Sequence, residues 1–311
     1  MILELIEVVL PVFLVIGAGF AAVRFAGFKD TAVDGLMNFT QNYAIPCLLF
    51  IAVVHIDLAT AFEPGLILSF YTSAAICFAL GIFGARALFD RRPGEAVAIG
   101  FSAFFSNSVL LGLPIMERAY GPDSLGPNYA IISLHAPFCY GLGIAIMEVL
   151  RADGRRPSQT ARLVGLAVAK NALMLAIVVA LACNLTGIMP PPVAMEALDL
   201  MGKAALPAAL FGLGGILSRY RLREQLGEVG LIGLISLIVH PTLTYFLTVV
   251  VFALPDAMVR SAVLTAAMAP GANTYIFSAM YGRAMEVTSA AVLLLTVISL
   301  VTVTFWLMVL P

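Results

Sequence analysis

Phe105-Ser106-Asn107-Ser108-Val109-Leu110-Leu111-Gly112-Leu113-Pro114 and Met268-Ala269-Pro270-Gly271-Ala272-Asn273-Thr274-Tyr275 are the two stretches on which the fold turns. Each interrupts a long apolar run with proline, glycine, asparagine and a hydroxyl residue. Proline lacks a backbone N–H and crowds the preceding turn. Glycine reaches dihedrals closed to other residues. Asparagine, serine and threonine bond the backbone groups that an unwound turn releases. Both stretches therefore predict a helix broken in its middle, with Gly112, Pro114 and Pro270 as breakers. In lipid, unwound backbone must be buried in protein or line a cavity.

The composition around these stretches is that of a membrane protein. Of 311 residues, 61% are hydrophobic and 11% charged, and the mean hydropathy is +1.03. A soluble domain carries roughly 25% charged residues, a shell this chain cannot supply. Disorder needs low hydrophobicity and high charge. A net charge of −1 provides no basic field for nucleic acid. The reading is an all-α integral membrane protein, because barrel strands would alternate in ~10-residue segments. A span takes about 20 apolar residues. Ten stretches qualify: 5–23, 34–54, 65–88, 95–118, 127–150, 163–184, 195–217, 229–252, 258–281 and 285–310. Glu4 and Glu7, with no Lys or Arg before Arg24, make the first a retained span rather than a cleaved signal. Cys47, Cys77, Cys139 and Cys183 are widely spaced in apolar runs and read as small buried hydrophobes.

Charge sets the expected orientation. Thirteen of the 17 Lys and Arg residues lie in loops after odd-numbered spans, and only Arg118 and Arg260 lie on the opposite side. The positive-inside rule puts the odd loops in the cytoplasm and both termini outside. A shift of 161 residues lays Ala44-Ile45-Pro46-Cys47-Leu48-Leu49-Phe50 onto Ala205-Leu206-Pro207-Ala208-Ala209-Leu210-Phe211, and Tyr120-Gly121 onto Tyr281-Gly282. The expected organisation is a first five-helix repeat over 1–150, a cytoplasmic linker over 151–162 and a second repeat over 163–311. Five is odd, so the second repeat enters upside down, as inverted repeats of secondary transporters do. Broken spans 4 and 9 then occupy matching places, which points to a binding site near the midplane.

Asn107-Ser108-Val109-Leu110-Leu111-Gly112-Leu113-Pro114, closing with Ala119-Tyr120-Gly121, resembles the fourth-helix motif of the auxin efflux carrier family. Ala266-Ala267-Met268-Ala269-Pro270-Gly271, closing with Tyr281-Gly282, resembles its ninth-helix motif, and the Asn42-x-x-x-Pro46 run is similar too. The resemblance covers the whole chain. It implies a scaffold of helices 1, 2, 6 and 7, and a moving transport domain of helices 3–5 and 8–10 in which helices 4 and 9 cross. It also implies an organic anion bound beside the crossing, and dimers formed through the scaffold. Ser106 stands where plant carriers tend to have proline, and the large plant loop is missing. The compact form resembles bacterial members, which include carriers proposed for malonate and malate.

The remaining polar residues within spans are few. Pro46 and Pro207 are two further expected helix breaks; Lys203 lies four residues before Pro207, and the 161 shift maps it onto Asn42, four before Pro46. A lysine at membrane depth costs about 2.5–3.5 kcal/mol on insertion scales, so it reads as an anion ligand or proton carrier. Lys170 lies nearer a span end, where it can snorkel. His135 and His240 are candidate proton carriers because imidazole titrates near neutrality. The acids noted sit at helix ends (Glu4, Glu7, Asp57, Glu63, Glu148, Asp256), which leaves no intramembrane carboxylate as a coupling group.

The expected function is a secondary carrier for a small organic anion working by alternating access. Ser106, Asn107, Ser108, Pro270, Gly271, Asn273 and Thr274 would bind the substrate, joined by Asn42 and Lys203. Free N–H groups and dipoles at the broken helices favour a carboxylate. No cofactor and no metal is expected, and the coupling ion is H+ or Na+. A sodium-coupled symporter of bile-acid-transporter type is the alternative within transport. No nucleophile or metal constellation suggests an enzyme.

Overall fold

The computed structural model describes residues 2–55, 63–151, 172–220 and 225–310. Lys170, the 151–162 linker (apart from Arg151) and the start of the sixth expected span lie outside them. The described residues are helical throughout, apart from turns, caps and a single β-bridge. Helix is the form that satisfies every backbone group within one segment, which lipid demands.

Among the described residues, six helices are long and apolar enough to cross a membrane: Asp30–Val54, Pro64–Phe89, Pro122–Leu150, Pro192–Leu217, Leu226–Val251 and Met285–Val309. Shorter apolar helices cover Val9–Phe25 and Leu175–Thr186. All four cysteines are free.

The chain divides into two compact units. One comprises Leu10–Phe62 and Gly165–Arg219. Its helices are α1 (Ile2–Phe25, from Leu10 on), α2 (Asp30–Phe39), α3 (Ile45–Val54), α8 (Ala172–Thr186), α9 (Pro192–Lys203) and α10 (Ala205–Leu217). Glycine lets α1 and α10 touch backbone to backbone. A Cβ on Gly19 would fall on the Phe211 carbonyl oxygen, and one on Gly214 on that of Ile16. Small residues at helix contacts are how membrane helices gain dispersion without a hydrophobic drive. Arg219 ties the end of α10 to α2, with Nη1 2.7 Å from Asp34 Oδ1 and Nε 3.1 Å from Asp30 Oδ1.

Both predicted proline breaks of this unit are displaced toward the N-terminus. Before Pro46, the turn Thr40–Ala44 is π-helical, and Pro46 itself sits in the first turn of α3, where its missing N–H costs nothing. Before Pro207, the helix is interrupted at Ala204. Proline disturbs the turn that precedes it, so the irregularity appears two or more residues upstream.

The other unit comprises Met1–Val9, Glu63–Val164 and Tyr220–Pro311. It holds α4 (Pro64–Phe89), α5 (Pro93–Phe104), α6 (Leu113–Tyr120), α7 (Gly126–Arg151), α11 (Leu226–Leu234), α12 (His240–Phe246), α13 (Asp256–Ala266), α14 (Ala272–Tyr281) and α15 (Met285–Val309). An aromatic core fixes it, with Phe101 and Phe277 stacked at 3.9 Å and Phe78 on Phe104 at 4.7 Å. Buried polar ties join helices where the apolar core cannot. Ser73 and Thr244 hydroxyls meet at 2.7 Å, Asn128 Nδ2 donates to Thr265 Oγ1 at 2.9 Å, and Trp306 Nε1 donates to the Leu237 carbonyl at 3.1 Å. Arg91 pairs with Glu228 in the first turn of α11.

Candidate functional site

Spans 4 and 9 are each built as two helical pieces. α5 ends at Phe104, residues Phe105–Asn107 are extended or irregular, and a π-helical turn over Ser108–Gly112 leads into α6. α13 ends at Ala266, and α14 begins after Gly271. Both second pieces stop at a glycine with positive φ, Gly121 at 84° and Gly282 at 60°, directly after Tyr120 and Tyr281. Glycine takes that conformation without the Cβ penalty other residues incur.

The two breaks meet. Ser106 and Pro270 form an antiparallel bridge. The Asn107 N–H donates to the Ala269 carbonyl at 2.9 Å, and the Gly271 N–H donates to the Phe105 carbonyl at 3.4 Å. Each unwound segment thereby supplies partners the other lost, so the irregular backbone is satisfied inside protein. Gly271 is where the strands approach most closely, since a Cβ there would lie 3.4 Å from Asn107 Cα.

Most of the expected site residues of this unit are gathered at the bridge. Ser106, Asn107 and Ser108 are buried, as are Pro270, Gly271 and Thr274. Thr274 Oγ1 donates to the Gly271 carbonyl at 2.9 Å, which steadies the first turn of α14. Asn273 is half-buried beside Tyr140, whose hydroxyl is 3.4 Å from its Oδ1. Ser106 Oγ and Asn107 Nδ2 are buried with no hydrogen-bond partner among the described residues. An unpaired buried polar group is costly, about 1–3 kcal/mol each, unless something else completes it. At the start of α14 the Thr274 N–H is bonded to the Gly271 carbonyl at 3.0 Å, and the helix dipole is positive.

The expected residues of the other unit look different. Asn42 is exposed and donates from Nδ2 to Asn38 Oδ1 at 3.0 Å. Lys203 has an acidic partner on its own helix. Its side chain is 71% exposed, and Nζ lies 2.6 Å from Asp199 Oδ2, one turn earlier. Asp199 also corrects the expectation that spans hold no carboxylate, because it falls inside the Pro192–Leu217 candidate span. Asp199 and Lys203 both fall inside the expected 195–217 span, so this i,i+4 acid–base pair is legible in the sequence itself.

His135 and His240 are both buried and each meets the Phe70 ring, at centroid distances of 5.7 and 5.4 Å. His135 Nε2 is 3.2 Å from the Ser106 carbonyl oxygen. Neither ring nitrogen of His240 has a partner among the described residues. Tyr140, Asn128 and Thr265 escaped sequence reasoning. Tyr140 and Asn128 lie in α7, which carries neither break, and Thr265 lies one residue before the quoted ninth-span motif; only packing shows that they bond to other helices.

Residues 4–307 match the family described as "Membrane transport protein". The chain is 26% identical over 305 residues to a Rhizobium meliloti (strain 1021) protein named "Putative malonate transporter", covering 97% of this chain and 94% of that one. It is 24% identical over 304 residues to "Uncharacterized transporter YfdV" of Escherichia coli (strain K12), covering 96% of each. A 223-residue stretch is 27% identical to the "Lysosomal cholesterol signaling protein" of Mus musculus, covering 68% of this chain and 26% of that protein.

Proposed function

Since this chain belongs to the membrane transport protein family, that of the auxin efflux carriers, and is a multi-pass membrane transporter rather than an enzyme, we propose that it is a secondary active carrier of a small carboxylate. The observation that carries this reading is the Ser106–Pro270 bridge, with Asn107 Nδ2 and Ser106 Oγ buried beside it and unpaired. A carboxylate accepts hydrogen bonds only, so donors next to a positive helix end suit it. Ser108, Gly271, Asn273 and Thr274 complete this surface. The name of the Rhizobium meliloti relative supports malonate as the first substrate to try.

In this proposal the ten spans form two inverted five-helix repeats related by the 161-residue shift, with both termini outside the bacterial inner membrane. The unit holding the crossing is the transport domain. The unit holding α1–α3 and α8–α10 is the scaffold, through which two copies associate. Displacement of one unit relative to the other gives alternating access, as in other inverted-repeat carriers. Lys203 and Asn42 enter as the anion-attracting and hydrogen-bonding groups of the scaffold, with H+ or Na+ as coupling ion.

The test is uptake of radiolabelled malonate into proteoliposomes, run with imposed proton or sodium gradients. Asn107→Ala should abolish saturable uptake while the protein remains folded. Unchanged uptake in that variant would remove the crossing from the mechanism. If the parent protein neither binds nor moves malonate or its homologues, the substrate class is wrong.

A further inference from the structure

The sequence marks His135 as a candidate proton carrier, but its surroundings give it another task. We infer that His135 is a positioning residue that holds the first break in its unwound form, resting on the reading of the crossing as the substrate site. A carbonyl oxygen only accepts, so the 3.2 Å contact to Ser106 requires His135 Nε2 to carry the proton. Nδ1 is then the acceptor, and it faces Cys139 Sγ, one turn further along α7, at 3.8 Å. The ring also meets Phe105, at 4.8 Å, and Phe70, at 5.7 Å, at steep angles. Both nitrogens and these ring contacts are to neutral partners.

What His135 grips is the hinge of the break. The Ser106 carbonyl also accepts from the Ser108 N–H at 2.8 Å, and the Ser106 N–H donates to the Phe104 carbonyl at 3.1 Å. Two successive contacts of that span make a tight, non-helical turn. The next residue is Asn107, whose N–H reaches Ala269 and whose carbonyl receives Leu111 and Gly112. Fixing the Ser106 carbonyl therefore fixes the direction of the Asn107 side chain, whose Nδ2 is buried and unpaired. Without the His135 donor, α7 loses its hold on that carbonyl and the turn loosens, so its amides open more often. A binding group turned away by an ångström loses much of its effect.

Three variants test this, since Gln carries an N–H of similar reach, Asn keeps a donor that falls short, and Leu has none. In the full-length protein, hydrogen exchange across residues 104–112 needs no substrate. The expected result is faster exchange in H135L and H135N, with H135Q close to the parent. Malonate affinity, read by calorimetry, should fall about tenfold in H135L and H135N and stay within about threefold in H135Q. The pH profile of uptake should be the same in H135Q as in the parent. Parent-like exchange in H135L and H135N overturns the proposal whatever the substrate is. A flattened pH profile in H135Q overturns it in favour of a proton carrier. Failure of the parent to bind malonate overturns the proposed substrate, and the exchange arm still judges His135. Should H135L not fold, the comparison of H135N with H135Q decides between the same two outcomes.

Discussion

Ser106 and Pro270 stand opposite one another in a single antiparallel bridge, each at the point where its own helix has come apart. Proline has no N–H to give, so the bonds of the bridge come from its neighbours, Asn107 to Ala269 and Gly271 to Phe105. Two breaks that would each be ruinous alone in lipid become tolerable as a pair. The pairing also places the side chain of Asn107 against Gly271, so the close approach and the candidate site share one glycine.

That glycine gives the first prediction. A methyl group at 271 meets Asn107 Cα and Cβ at 3.4 Å, which is near-ordinary contact, and φ there is −82°. Gly271→Ala should fold with a melting temperature within a few degrees of the parent. Gly271→Val adds two carbons toward Asn107 and should part the bridge, with loss of malonate uptake in proteoliposomes. Equal uptake in the two variants would show that the approach is not needed.

Gly17 and Gly19 lie two residues apart on α1, and their surroundings differ. Nothing lies within 4 Å of a Cβ on Gly17, whereas one on Gly19 strikes the backbone of Phe211. Gly17→Ala should be neutral or stabilise by up to ~1 kcal/mol through helix propensity. Gly19→Ala forces α1 and α10 apart and should cost about 3 kcal/mol or more, since backbone cannot give way as a side chain can. Thermal unfolding in detergent, followed by light scattering or circular dichroism, separates the two.

Arg91 and Glu228 form the least exposed ion pair described, with Glu228 at 9% and Arg91 at 22% side-chain exposure. Removing one charge strands the other where water reaches it poorly. Glu228→Gln should cost about 1.5–3 kcal/mol, the worth of a charged hydrogen bond. A double-mutant cycle with Arg91→Gln should return a coupling energy of at least about 0.5 kcal/mol. Strict additivity in the melting temperatures would deny the pair any net role.

Lys203 and Asp199 make the contrasting pair, both well exposed. Such pairs contribute about 0–1 kcal/mol, so neither Lys203→Met nor Asp199→Asn should move the melting temperature much. Their effects on malonate affinity should be opposite in sign. Asp199→Asn frees the ammonium and should strengthen binding a fewfold, while Lys203→Met should weaken it. The same shift in both variants would remove Lys203 from the proposed site.

Much of the crossing is readable along the chain because its signals are local. Proline, glycine and asparagine within eight residues of one another disturb a helix; the second break falls at Pro270-Gly271, whereas the first falls at Phe105–Asn107, upstream of Gly112 and Pro114, which lie in the π-helical turn and the first turn of α6. Tyr120-Gly121 and Tyr281-Gly282 end their helices with positive φ for an equally local reason. Lys203 shows where local reading fails. Its rarity in an apolar run suggests burial, but exposure depends on which way the helix face turns, and Asp199 neutralises it from one turn away.

Helical structure, residence in lipid and two broken spans follow from the residues alone, because composition and backbone sterics act within a turn or two. Three further facts needed the folded chain: the breaks bond to each other, Asn107 and Ser106 keep unpaired polar atoms there, and His135 holds a carbonyl of the break. Those facts depend on residues such as Ser106 and Pro270, separated by more than half the chain. Their meeting is set by how helices pack, through contacts such as Phe101 on Phe277, and no periodicity along the sequence records it.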